Sequence, residues 1–202
     1  MRKVAAIILA AGESSRFGKS KQLLSINGKS LLERIVHEAL EANCSPTLVI
    51  LGADAEEMER EIDATRAVVI KNEYWKRGIA TSIRVAIQNL IENARRTDAA
   101  ILLVCDQPFV DARIIRGLIE LHEKTQKPIV ASSYAGTLGV PALFDRSCFN
   151  GLLALEEESG AKSLILSKPD DVAVFQFPGG EIDIDTAEDW QAFLQNEITV
   201  CR

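Results

Sequence analysis

The sequence predicts an α/β chain built on a mostly parallel sheet, and three observations carry that prediction. Residues 4–9 and 100–105 are continuous aliphatic runs, the pattern of strands covered on both faces. Helical stripes lie between the strand-like runs, with apolar residues at 31, 32, 35, 36, 39 and 40 and at Ile79, Ile83, Ile87, Leu90 and Ile91. Strands that alternate with helices make βαβ units, and those place their strands in parallel.

Taken in order, the first run ends at Ala10, Ala11 and Gly12, where a strand gives way to a turn. Ser30 with Glu33 is a capping box that opens the first helix. Residues 47–51 form the next strand, and Asp54 is expected to cap a short acidic helix. Residues 67–70 make a strand, 71–77 a polar loop, and Ile79 starts a long helix. The run 100–105 ends in Asp106; Asp111 caps a helix reaching about Lys124, and 129–132 is a strand. The last third is less regular. Residues 139–144 read as a bent strand, 172–177 as another and 182–184 as a short one, before a Thr186–Asp189 box opens the C-terminal helix. No repeat or linker interrupts residues 1–202, so one domain is expected.

Composition narrows the function. Apolar residues make up 47% and charged residues 26% of 202, which suits a folded globular chain. A net charge of −6 argues against a nucleic-acid backbone as partner, because phosphate-backbone binding needs a basic face. It leaves room for a small polyanion held by a few cations. No apolar stretch is long enough for a membrane span, and Glu13 and Arg16 follow residues 4–11 too soon for a signal peptide, so a cytoplasmic location is expected. Cys44, Cys105, Cys148 and Cys201 lack metal-ligand spacing, and His37 and His122 both fall in helical stretches, so neither a zinc site nor a histidine base is expected.

In such sheets ligands bind beyond the carboxyl ends of the strands, so the residues after each strand are the ones to read chemically. They are 12–21, 72–82, 106–108, 136–141, and Asp183 with Asp185. The first segment combines Gly12 and Gly18, which let a backbone approach a phosphate, with the cations Arg16 and Lys21. Gly12 to Ser20 nearly spells a phosphate-binding P-loop, with residues 101–106 as its companion strand and acid. Five residues separate the glycines where that loop requires four, which makes a P-loop NTPase or kinase a weak competitor.

The segment from Leu9 to Leu24, with Ala10, Ala11, Gly12, Arg16, Phe17, Gly18 and Lys21, resembles the first motif of the molybdenum cofactor cytidylyltransferase family. The resemblance continues at Asn72, Gly78 and Ser82, at residues 105–108, at Gly136, Gly139 and Pro141, and at residues 183–189. It implies a three-layer α/β/α fold with a Rossmann-like, mainly parallel sheet of the nucleotide-diphospho-sugar transferase type. It also implies a reaction: a phosphate oxygen of an acceptor attacks the α-phosphorus of a nucleoside triphosphate and pyrophosphate leaves. An ionised phosphate is already a nucleophile, so catalysis needs positioning and charge stabilisation rather than a histidine.

On that resemblance, Leu9, Ala10, Ala11 and Gly12 are expected to meet the nucleotide, with Gly78 and Ser82 beside the base. Arg16 and Lys21 are expected to neutralise the phosphates. Asp106 is expected to hold Mg²⁺, completed by Asp183 in preference to Asp185, which adjoins the capping Thr186. Ala11 favours CTP over GTP, since the guanylyltransferase branch has a second glycine there. Ser20 replaces a proline found in isoprenoid-pathway relatives. Glu157 and Glu158 depart from the family's Gly-Asp, leaving the acceptor open, with molybdopterin favoured. Glu156–Glu158 otherwise reads as a solvated acidic patch, and Trp75 as either a ligand-stacking ring or a loop anchor. A non-catalytic molybdenum cofactor chaperone serving a molybdoenzyme is the remaining alternative.

Overall fold

A computed structural model describes residues 2–13 and 20–200, the side chains of 196–200 excepted; Arg16 and Gly18 lie outside the described residues. The strands and helices are β1 (Val4–Ala10), β2 (Ser25–Ile26), β3 (Lys29–Ser30), α1 (Leu31–Glu41), β4 (Thr47–Leu51), α2 (Ala55–Ile62), β5 (Val68–Lys71) and α3 (Ile79–Asn93). They continue as β6 (Ala99–Val104), α4 (Ala112–Thr125), β7 (Ile129–Tyr134), β8 (Thr137–Asp145), α5 (Phe149–Leu153), α6 (Ala161–Ser167), β9 (Val172–Gln176) and α7 (Ala187–Val200).

Seven strands form one sheet in the order β5-β4-β1-β6-β8-β7-β9. Only β8 runs against its neighbours, pairing antiparallel with β6 and β7. The continuous aliphatic run of β1 is explained by alternation in the middle of this sheet. Val4, Ala6, Ile8 and Ala10 enter one core with α1, α2 and α4, while Ala5 and Ile7 enter a second with α3, α5 and α6. Helices on both faces give the three layers the resemblance implies. Among the described residues no helix is long and apolar enough to cross a membrane.

Local signals mostly act as read. Ser30 Oγ accepts from Glu33 N at 3.1 Å, and Asp111 accepts from the amides of Arg113 and Ile114. Thr186 and Asp189 bond reciprocally at the start of α7. Asp54 does not behave as expected: it holds the N-cap position of α2 with φ +52° and makes no side-chain bond to the helix. Its carboxylate instead accepts from the Ser20 hydroxyl.

Residues 182–184 form no strand; Ile184 N donates to Asp106 O at 2.9 Å while its side chain fills a small third core with Leu24, Ile26, Leu31 and Phe193. The β2–β3 hairpin turns at Asn27 and Gly28, both at positive φ, an Asn-Gly signal for a two-residue turn. The bend in β8 follows a register shift opposite Ala131 and Ser132, where Ser132 Oγ donates to Pro141 O at 2.6 Å.

Candidate active site

Parallel pairing brings the carboxyl ends of β1 and β6 side by side, with Leu9 opposite Val104. Beyond them lies a cleft of about 260 Å³ lined by Leu9, Ala11 and Gly12, by Val104 to Asp106, by Lys21 and Gln22, and by Trp75, Ile79 and Ser82. Among the described residues nothing lies within 4 Å of where a Cβ on Gly12 would stand, and the Gly12 carbonyl accepts from Gln22 Nε2 at 3.1 Å. Ser82 is buried, and its Oγ accepts from Asn72 Nδ2 at 2.9 Å, which leaves the hydroxyl proton to donate.

At one end of the cleft the charges gather. Lys21 Nζ stands 2.7 Å from Asp106 Oδ2 and 2.7 Å from Asp185 Oδ1. Burial opposes the ammonium charge, but the attraction and hydrogen bonds of Asp106 and then Asp185 outweigh it and raise the Lys21 pKa. Asp183 keeps one side to solvent, yet partial burial, then Asp106 and Asp185, push its pKa up to about 6 against the pull of Lys21 and a Gln107 hydrogen bond. Asp106 and Asp185 share one ammonium, with Asp183 near enough to feel their charge; such carboxylate oxygens are hard donors of the kind Mg²⁺ takes, one or two at a time with water and phosphate oxygens. Cys105 also lines the cleft, but burial holds its thiol far above the usual range, so it is no nucleophile.

Several sequence-based expectations change here. Gly78 does not line the cleft. It has φ +117°, and a Cβ would lie 2.1 Å from Glu157 O, so its small size serves the packing of α3 against residues 157–158. Glu157 is accordingly more than a solvated acid: it pairs with Arg77 and reaches Arg84 at 4.0 Å. For Ala10 nothing changes: its side chain turns into the core, and the backbone is the part expected to meet the nucleotide. Asp185, the alternative to Asp183 as second metal ligand, touches Lys21, while Thr186 and Asp189 form the box at the helix start.

Other residues of the site were not singled out in sequence. Ile79 is 42% exposed and lines the cleft, although its position fits the apolar stripe of α3. A Cβ on Gly52 would lie 2.6 Å from both Ala11 O and Trp75 Cγ, so this glycine lets Trp75 sit against the β1 turn. A glycine directly after a strand was the available signal. The ligand-competent trio with all its atoms within 4.8 Å among the described residues is His37, Glu38 and Glu41 on α1, and Glu38 there is occupied by the Ala112 amide at 2.8 Å.

Comparison with known proteins fits this geometry. The bifunctional protein GlmU of Staphylococcus haemolyticus is 28% identical over 144 residues, covering 70% of this chain and 30% of its own, so this chain spans under a third of that relative. Rv0371c of Mycobacterium tuberculosis is 27% identical with a TM-score of 0.83, over 96% of this chain and 98% of that one. Its manganese complex gives a TM-score of 0.77 at 26% identity over the same 96% and 98%. Molybdopterin-guanine dinucleotide biosynthesis protein A of Archaeoglobus fulgidus shares the fold alone, at TM-score 0.64 and 17% identity over 93% of this chain and 95% of that one. The model of the MobA-like NTP transferase domain matches residues 6–172, which take in the first loop, Asp106 and the β7–β8 hairpin, and the chain belongs to that family.

Proposed function

We propose that this protein is a nucleotidyltransferase that moves a cytidylyl group from CTP to the phosphate of a molybdopterin-type acceptor and releases pyrophosphate. The observation that carries the reading is the Lys21–Asp106 pair, 2.7 Å apart in a cleft that Gly12 also lines. The acceptor phosphate oxygen forms a bond to the α-phosphorus as the bond from that phosphorus to the β-phosphate oxygen breaks. Both electrons of the broken bond leave with pyrophosphate.

Lys21 neutralises the charge that builds on the α-phosphoryl oxygens, and Arg16 shares the load along the triphosphate. Leu9, Ala11, Gly12 and the Ser82 hydroxyl hold the nucleoside end, with the Ala11 methyl narrowing the wall against a purine. Asp106 and Asp183 would hold Mg²⁺, which would supply charge neutralisation on the phosphates. Gly78 has no part in this assignment, since it faces the 157–158 backbone.

Assays with CTP or GTP, Mg²⁺ and either molybdopterin or a sugar 1-phosphate, read by pyrophosphate release, test the reading. Release that requires CTP and molybdopterin is the expected result. Release with GTP moves the assignment to guanylyl transfer. Release with the sugar phosphate moves it to the chemistry of a different acceptor. Binding without turnover supports a cofactor chaperone.

A further inference from the structure

The cleft holds a cation of its own where the proposed reaction requires a metal. The Lys21 ammonium lies 2.7 Å from one oxygen of Asp106 and 2.7 Å from one of Asp185, and the lysine side chain is 18% exposed. Asp185 has no capping duty to explain its place. Its backbone amide is taken by Asp189, which also serves Thr186, and its half-exposed carboxylate turns back to Lys21.

Two cations a few ångströms apart in a partly buried site repel strongly, and the ammonium already draws on the negative charge of Asp106 through its bond to Oδ2. We propose that Asp185 is a positioning residue that parks Lys21 on the carboxylates of the nucleotide-free enzyme, so that lysine and divalent cation compete for Asp106 until nucleotide phosphates draw the ammonium away. The proposal rests on the reading of Asp106 and Asp183 as the metal ligands. Its consequence is a coupled exchange. The ammonium moves to the phosphates, the carboxylates are released to the metal, and the empty enzyme binds divalent cation weakly.

Two measurements, neither of them turnover, test this. The first is Mn²⁺ affinity of nucleotide-free protein by electron paramagnetic resonance. Lys21→Met is expected to bind Mn²⁺ at least about tenfold more tightly than wild type, because a repelling charge is gone. The double variant Lys21→Met/Asp106→Asn is expected to lose that gain. Equal affinity in wild type and Lys21→Met overturns the competition. A gain that survives Asp106→Asn overturns the metal reading itself.

The second measurement is CTP affinity in EDTA. Asp185→Asn is expected to tighten CTP by about threefold, the scale of a half-exposed ion pair that no longer has to break. In the Lys21→Met background the same substitution is expected to do nothing. Tightening that persists there reflects simple repulsion between Asp185 and the triphosphate and overturns the parking role, as does an Asp185→Asn protein that binds CTP like wild type.

Discussion

Gln107 Nε2 donates to the carbonyl of Gly180 at 2.9 Å, and this bond ties the turn before Asp183 to the end of the strand that carries Asp106. The amide is 4% exposed, and among the described residues its Oε1 has no hydrogen-bond partner. An unpaired buried acceptor costs about 1–3 kcal/mol, so the side chain is held where it is by its donor end. Gln107→Ala is expected to lower unfolding free energy by about 1 kcal/mol, since the orphaned Gly180 carbonyl and the space left behind outweigh the relief of removing the unpaired Oε1. Because Asp183 loses its anchor, turnover per folded molecule is expected to fall as well. Denaturant titration alongside steady-state kinetics checks both, and unchanged turnover would show that the 180–183 turn is held by other contacts.

Gly52 is a tighter position than its partial exposure suggests. A methyl group there meets Ala11 O and the Trp75 ring at 2.6 Å, and one of them has to move. Gly52→Ala is expected to cost about 1–3 kcal/mol, the usual range for overpacking. It is also expected to raise the KM for nucleotide, since both neighbours line the cleft. A melting curve and a nucleotide titration are sufficient; a stable variant with wild-type KM contradicts the geometry.

Gly78 is expected to separate from Gly52 in the second readout. At φ +117°, with Glu157 O 2.1 Å from a would-be Cβ, Gly78→Ala meets both strain and a backbone clash. A loss of at least about 2 kcal/mol is expected. The KM for nucleotide of the molecules that remain folded is expected to stay near wild type. A raised KM without loss of stability would restore the nucleobase role that the sequence suggested for it.

The Asp183 carboxyl gives a pH signature in metal-free protein. Its pKa is raised from 3.8 to about 6 by partial burial and by Asp106 and Asp185. A carboxyl raised in the folded state holds its proton more tightly there than when unfolded. The stabilisation it gives is therefore complete below the unfolded value and is lost as pH rises through the folded one. Asp183→Asn is expected to melt above wild type by a margin that grows from about pH 4 to about pH 6 and is flat beyond. Thermal melts in EDTA across that range measure it. A margin that does not change with pH means that Asp183 ionises like an isolated carboxylate.

Much of the fold could be read from the chain because β1 and β6 are covered on both faces and leave unbroken aliphatic runs. The capping residues Ser30, Asp111 and Thr186 act within one helical turn, so local sequence suffices for them. Asp54 failed for the opposite reason: Ser20, 34 residues away in sequence, claims its carboxylate. Gly78 and Asp185 likewise owe their roles to distant partners, Glu157 and Lys21, which no spacing rule reveals. Ile79 carried a misleading signal, since an apolar residue on a helical stripe reads as core even where the stripe runs out into a cleft. The family resemblance located Lys21 and Asp106 by motif. That they touch is a tertiary fact.

The single reversed strand, β8, has an evolutionary reading. Because it runs against both β6 and β7, the tight β7–β8 turn at Ala135 and Gly136 projects from the same end of the sheet as the cleft, on the side away from β4 and β5. Strands β1 and β6 lead into the cleft and carry residues deep in the two cores, where few changes are tolerated. A hairpin tip can lengthen or change composition at little cost to either core. Under the proposed reaction, a lineage could therefore trade one phosphorylated acceptor for another by rewriting a surface turn while the triphosphate half stays intact.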